Sequence, residues 1–100
     1  MINVEKEIRT AVDSGEVIIG ERETLKAVKA KGVKIVICAS NCKENVKDEL
    51  KKHVAIVGTP LYEFGGSSVD LGAVCGRPYL ISMLGIVEAG DSDVLKLERE

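Results

Sequence analysis

The segment VKIVICAS, residues 33–40, contains four consecutive apolar residues, Ile35 to Cys38. A short strand that is apolar on both faces is typical of a sheet interior with helices packed against each side. Amphipathic helices are predicted before and after this segment, so both faces have a candidate covering element. The segment therefore favours a layered arrangement of helices and strands.

Hydrophobic spacing alternates between helical and strand periods along the rest of the chain. Helices are predicted over residues 4–15, 21–32, 44–57 and 67–76, and strands over residues 16–20, 33–40, 61–64 and 79–88. The third helix directs Lys47 and other charged residues towards water, and Ser67-x-x-Asp70 starts the fourth with a capping-box pattern. This order predicts an α/β fold in one domain over residues 1–100, a three-layer α/β/α sandwich. Its four-stranded sheet is expected to be mixed, with an order that the sequence does not give.

Composition limits the classes of partner. No apolar run approaches the roughly 18 residues of a membrane span, and the N-terminus lacks a signal-peptide pattern, so we expect a cytoplasmic protein without a membrane partner. The net charge of −2 argues against indiscriminate binding to a polyanion. The charge is unevenly distributed, because residues 91–100 are acidic whereas residues 22–34 carry one acidic and five basic residues, namely Arg22, Lys26, Lys29, Lys31 and Lys34.

Nothing in the sequence assembles a catalytic set. The single histidine, His53, lies on a lysine-flanked helix, and the two Gly-rich phosphate-binding motifs are absent. The three cysteines lack zinc-ligand spacing and are interpreted as small apolar core residues: Cys38, Cys42 and Cys75. We therefore expect no enzyme activity, no cofactor and no metal. One alternative stays open, a small metabolite- or anion-binding domain that uses the turn GGSS at residues 65–68.

Recognition is better supported, because polar residues cluster where predicted strands meet helices. The carboxyl ends of parallel strands meet at one edge of a sheet, so residues from several junctions would share a surface there. Each candidate also has a purely structural interpretation; Asn41 could cap the third helix, and Tyr79 could belong to the core. The candidate binding residues are Gly20, Arg22, Glu23, Lys26, Asn41, Tyr79 and Ile81.

Two segments together resemble a known family. GERETLKAVKAKGVKIVICASN and GTPLYEFGGSSVDLGAVCGRP are similar to large-subunit ribosomal protein 30e of archaea and eukaryotes, within the superfamily of kink-turn RNA binders. The resemblance covers about residues 4–87. The glycine-led second helix, the A-x-N after the central strand and the D/E-L-G-x-x-x-G before the last strand are specific in combination.

The resemblance implies roles for individual residues. Gly20 matches a glycine whose backbone meets RNA, and Arg22 and Lys26 match basic positions on the same helix. Asn41 matches the asparagine that contacts sheared purine pairs. Glu23 resembles an acidic residue that related kink-turn binders use to accept a hydrogen bond from guanine.

Two further positions are implied to contact the nucleotide that bulges from the kink. Tyr79 matches the aromatic position and Ile81 the aliphatic position at that nucleotide. The segment SNCKENVKD departs from the family pattern, because a Pro and an Arg early in the third helix are replaced. Lys43 and Lys47 are the nearest cations there.

The resemblance thus implies a non-enzymatic constituent of the large ribosomal subunit that binds a kink-turn. Its expected partners are ribosomal RNA and other ribosomal proteins, and the free protein is expected to be monomeric and cytoplasmic. A kink-turn-binding protein of a small guide-RNA particle is the alternative within the same superfamily.

Overall fold

Helices and strands alternate along the chain in the computed structural model, which describes residues 3–30 and 32–94. The predicted order is therefore confirmed. Lys31, one of the predicted basic residues, and residues 95–100 of the acidic segment lie outside the described residues. In chain order the elements are α1 (Val4–Ser14), β1 (Glu16–Ile19), α2 (Glu21–Lys29), β2 (Ile35–Cys38), α3 (Glu44–Val57), β3 (Leu61–Glu63), α4 (Ser68–Val74) and β4 (Met83–Glu88).

The sheet is mixed, as expected, and its strand order is β1-β4-β2-β3. Strand β4 is antiparallel to both β1 and β2, whereas β2 and β3 run parallel. Val36 of β2 pairs with Gly85 on one side and with Leu61 on the other. The apolar strand predicted to be central is thus an interior strand, and all four of its residues are buried.

Helices cover both faces of the sheet, which confirms the three-layer sandwich. On one face α1 and α4 pack against alternate residues of the interior strands, such as Ile37 and Leu84. On the other face α2 and α3 pack against the intervening residues, such as Val36 and Met83. Alternation along a strand sends neighbouring side chains to opposite faces, so the apolar run in β2 serves two cores.

The last strand begins later than the sequence predicts. Residues 79–82 form an irregular segment, and β4 begins at Met83. The Ile81 N–H is directed to the Ser68 carbonyl oxygen of α4, at 3.1 Å, rather than into the sheet. Pro78, which has no N–H to donate, further disfavours strand pairing there.

The predicted solvent-facing position of Lys47 is also wrong. Only 13% of its side chain is exposed, and its ammonium lies 3.7 Å from the Glu63 carboxylate on β3. The cysteines Cys38, Cys42 and Cys75 are free and buried, as predicted. Within residues 3–30 and 32–94, no helix combines the length and apolar character needed to cross a membrane.

Candidate nucleic-acid interface

Helix α2 begins directly after β1 at a glycine with an unusual backbone. Gly20 has φ 115° and ψ 150°, in the region that side chains disfavour, and a Cβ there would meet open space. Its N–H donates to the Met83 carbonyl oxygen at 3.0 Å, which joins the start of α2 to the start of β4. No side chain caps this helix, so its first-turn amides have no side-chain acceptor.

The charged residues of α2 line the surface beside this glycine. Arg22, Glu23 and Lys26 are all exposed. Among the described residues, Arg22 and Lys26 form no ion pair, whereas Lys29 further along lies 3.6 Å from Glu49 of α3. The two basic side chains nearest the helix start therefore remain available to an anionic partner.

Asn41 follows β2 and is held by the start of α4. Its Oδ1 accepts from the Ser68 N–H at 2.8 Å, and its Nδ2 donates to Ser68 Oγ at 3.3 Å. The suggestion that Asn41 caps the third helix is wrong, because Lys43 occupies that position. A primary amide has two N–H donors and two acceptor sites, so one of each remains on this exposed side chain. Ser68 thus orients Asn41 without using its full hydrogen-bonding capacity.

The segment after α4 exposes two large apolar side chains. Gly76 turns the chain with φ 72°, and the Arg77 N–H donates to the Gly72 carbonyl oxygen at 2.9 Å. Tyr79 and Leu80 are then 54% and 66% exposed. This exposure leaves Tyr79 accessible for the implied contact with a bulged nucleotide, and the alternative that Tyr79 belongs to the core is wrong.

Ile81 is a correction to the candidate set. Its side chain is 1% exposed and belongs to the core under α1 and α4, so it is not presented to a partner. Leu80 is the aliphatic residue that faces solvent. The sequence predicts one strand from residue 79, which would place Leu80 and Ile81 on the wrong surfaces. The strand begins only at Met83, after both residues.

Short hydrogen bonds join the separate segments at one edge of the sheet. The Ala39 N–H, at the end of β2, donates to the Ser82 carbonyl oxygen at 2.9 Å. Ser82 Oγ donates to the Glu21 carboxylate at 2.7 Å. Ser68 holds both Asn41 and the backbone of Ile81. This edge is named the rim and consists of Gly20 to Glu23, Lys26, Asn41, Ser68 and residues 76–82.

Sequence reasoning missed the residues that connect the rim. Glu21 reads as an ordinary acidic helix start, and Ser68 and Ser82 read as polar residues at element ends. Their roles depend on contacts between segments far apart in the chain. Leu80 could have been found only by locating the true start of β4.

The rim carries hydrogen-bonding and apolar groups without a nucleophile activated by a base. His53 lies on α3, where its Nε2 is 3.8 Å from Glu49. Burial raises the pKa of the Cys38 thiol to about 12, which keeps it protonated and unreactive at neutral pH. In the described part of the chain, no group of three or more His, Cys, Asp or Glu residues could hold a metal ion. The groups present are suited to recognition.

The fold and the rim together define a small α/β/α recognition domain. The chain belongs to the ribosomal protein L7Ae/L30e/S12e/Gadd45 family, whose model matches residues 2–96. The predicted resemblance to ribosomal protein 30e is therefore confirmed.

Relatives from three archaea are each named large ribosomal subunit protein eL30. The protein of Methanosphaera stadtmanae is 39% identical over 97 residues, which cover 97% of this chain and 99% of the relative. The protein of Sulfolobus acidocaldarius is 38% identical, and the match covers 96% of this chain and 92% of the relative. The protein of Methanopyrus kandleri is 33% identical, and the match covers 100% of this chain and 92% of the relative. These relatives are named as ribosomal proteins, in agreement with the prediction that the chain is not an enzyme.

A solved structure shares the fold. A protein of unknown function from Bacillus halodurans C superposes with a TM-score of 0.83 over the full length of both chains. Its sequence identity is 24%, so this likeness concerns the architecture alone.

Proposed function

We propose that this protein is a constituent of the large ribosomal subunit that binds a kink-turn in ribosomal RNA. The observation that carries the proposal is the rim, where Gly20, Asn41 and Tyr79 come from three separate segments joined by hydrogen bonds. Family membership and the likeness to eL30 proteins support the ribosomal assignment. Its partners would be ribosomal RNA and neighbouring ribosomal proteins in the cytoplasm, and the free chain would be a monomer.

Unpaired RNA suits the apolar part of the rim. A bulged nucleotide offers a base face and hydrogen-bonding edges that a duplex groove hides. The exposed Tyr79 ring and Leu80 side chain would contact that base face. Stacking of one base on an aromatic ring contributes about 1–3 kcal/mol, so a single ring makes a substantial part of such a contact.

The polar part of the rim would contact the nucleotides beside the bulge. Asn41 would use its remaining donor and acceptor on the edges of the sheared purine pairs. Glu23 would accept from a guanine, and Arg22 and Lys26 would pair with phosphates. Gly20 leaves open space in which an RNA backbone can approach the helix amides. A few placed contacts of this kind are compatible with a net charge of −2.

The anion-binding alternative is disfavoured by the turn on which it depends. The Ser67 N–H and hydroxyl both donate to the Asp70 carboxylate, at 3.0 and 3.2 Å. A carboxylate of the protein therefore already occupies the donors that a bound phosphate would need. The predicted capping box is confirmed by the same contacts.

Binding to a kink-turn RNA tests the proposal directly. Arg22→Ala removes a cation that would pair with a phosphate, and it is expected to weaken binding by about 1.5–3 kcal/mol, measured by fluorescence anisotropy. Asn41→Asp is a better test than Asn41→Ala, because it keeps the oxygen that accepts from the Ser68 N–H while it removes the amide donor. It is expected to cost a similar amount, about 1–3 kcal/mol.

Two controls make the measurement specific. Lys52→Ala removes an exposed cation of α3 that lies about 12 Å along the helix axis from its first residue, and it should bind as the parent does. A second RNA lacks only the bulged nucleotide and should bind weakly to the parent. If Arg22→Ala and Asn41→Asp bind like the parent, or if deleting the bulge has no effect, the proposed function is wrong.

Sequencing the RNA that copurifies with the protein from cells distinguishes a ribosomal protein from a protein of a small guide-RNA particle. Ribosomal RNA fragments containing a kink-turn would support the ribosomal assignment. Small guide RNAs would favour the alternative particle instead.

A further inference from the structure

The side-chain hydrogen bond between Glu21 and Ser82 connects two parts of the rim that are far apart in sequence. Ser82 Oγ lies 2.7 Å from Glu21 Oε1, and 61 positions separate the two residues. Among the described residues, this is the one side-chain hydrogen bond that ties α2 to the segment 76–82. Both residues are half-buried, which limits competition from water.

The location of Glu21 strengthens this bond. Glu21 is the first residue of α2, where the partial positive charge of a helix N-terminus attracts an acidic side chain. Hydrogen bonds to ionised acceptors are shorter and stronger than those between neutral groups, in agreement with the 2.7 Å distance. The carboxylate therefore holds the Ser82 hydroxyl in a defined direction.

Backbone hydrogen bonds hold the fold at this point without either side chain. Ser82 O accepts from the Ala39 N–H, and the Gly20 N–H donates to Met83 O, so β4 stays in the sheet when the hydroxyl is removed. Between Arg77 and Ile81, by contrast, no backbone hydrogen bond to a described residue holds Tyr79 or Leu80. The Tyr79 carbonyl group packs directly against Gly72 of α4, so the position of these two side chains depends on this packing and on how the ends of their segment are fixed.

We propose that Glu21 is a positioning residue for RNA recognition, which acts through Ser82 to fix segment 76–82 against the start of α2. The bond sets the distance between the exposed Tyr79 ring and the α2 side chains Arg22 and Glu23. Glu21 acts on the bulged nucleotide through this spacing and does not itself need to touch RNA. This inference rests on the proposed kink-turn function and names the residues that tune it.

The experiment compares two RNAs, one kink-turn and the same RNA without its bulged nucleotide. Ser82→Ala and Glu21→Ala are each expected to weaken binding of the kink-turn about three- to tenfold, as expected for one lost hydrogen bond, and to leave binding of the second RNA unchanged. The double variant should bind no more weakly than either single variant, because both remove the same contact. Melting temperatures report whether the fold is kept.

Conservative variants separate positioning from charge. Ser82→Thr keeps a hydroxyl donor and should retain the affinity of the parent within about twofold. Glu21→Gln keeps an oxygen acceptor but loses the charge that strengthens the bond, so it should lose less affinity than Glu21→Ala does. In a Tyr79→Ala background, Ser82→Ala should have a smaller effect on binding of the kink-turn, since one of the two side chains that it positions is gone.

The outcomes distinguish the two proposals. If Ser82→Ala discriminates between the two RNAs as strongly as the parent, the positioning role is wrong while the proposed function stands. If Glu21→Gln loses as much affinity as Glu21→Ala, the charge acts directly and the positioning role is again wrong. If the parent does not discriminate between the RNAs, the proposed function itself fails.

Discussion

Replacing Gly72 by alanine sets two opposing effects against each other in α4. Alanine is the better helix former by about 0.8–1.0 kcal/mol in a helix interior, which alone would stabilise the protein. A Cβ at this position, however, would lie well inside 3.0 Å of the Tyr79 carbonyl oxygen and 3.3 Å from its carbonyl carbon. The opposing atoms are backbone, so no side-chain rotation relieves the overlap.

The overlap is expected to outweigh the gain in helix propensity. Forcing an extra carbon into a packed site costs about 1–3 kcal/mol, and a backbone obstacle favours the upper end of that range. The net effect is a destabilisation of about 2 kcal/mol. For a domain of 60–100 residues, this lowers the melting temperature by roughly 8–16 °C. The displaced Tyr79 backbone should also weaken kink-turn binding.

Thermal unfolding monitored by circular dichroism measures the effect. Gly65→Ala is the matched control, because a Cβ at Gly65 meets nothing within 4 Å and its φ lies outside the left-handed region. The control should keep the stability of the parent within about 0.5 kcal/mol or raise it slightly. A Gly72→Ala protein that melts at or above the parent temperature would refute the tight packing of α4 on the segment that carries Tyr79.

Three other predictions follow from burial and charge. Ile81→Ala should lower the free energy of unfolding in urea by about 2–5 kcal/mol, because the Ile81 side chain is in the core. Leu80→Ala should leave that free energy unchanged and weaken RNA binding, because Leu80 is exposed. Equal losses of stability would contradict the assignment of the two side chains to opposite surfaces. Lys26→Ala should reduce the slope of log K against log salt by about 1, and Tyr79→Ala should leave that slope unaltered. Burial raises the pKa of the Cys38 thiol from 9.0 to about 12, so on raising the pH the unfolded chain loses this proton before the folded protein does. The free energy of unfolding should therefore fall as the pH rises from 9 towards 12. Urea unfolding at several pH values checks this, and Cys38→Ala should show a smaller pH dependence than the parent.

Local patterns in the sequence predict the elements well, because their physical causes are local. The apolar run from Ile35 to Cys38 requires cover on both faces, and Ser67 with Asp70 forms a cap within one helical turn. The order of strands in the sheet cannot be predicted from local patterns, because β1 near the start of the sequence pairs with β4 near its end. Such pairings depend on contacts that no single segment encodes.

Most of the candidate binding residues belong to the rim, but the inclusion of Ile81 is wrong because its side chain is buried. Gly20, Arg22 and Lys26 lie on one short segment, so locating the start of α2 locates all three. Ile81 was misassigned because residues 79–88 read as one apolar run, whereas the true start of the strand depends on the packing of α4 against the preceding segment. Long-range contacts therefore decide which neighbouring side chain faces a partner.

The position of β4 between β1 and β2 has a consequence for a chain that is still being synthesised. Strand β4, the last strand among the described residues, fills the gap in the sheet, and it also completes the surface formed by residues near positions 20 and 41. A nascent chain that has emerged only as far as α4 would leave two strand edges unpaired and would lack Ser82. An RNA whose binding requires the whole surface would thus bind full-length chains and not truncated ones.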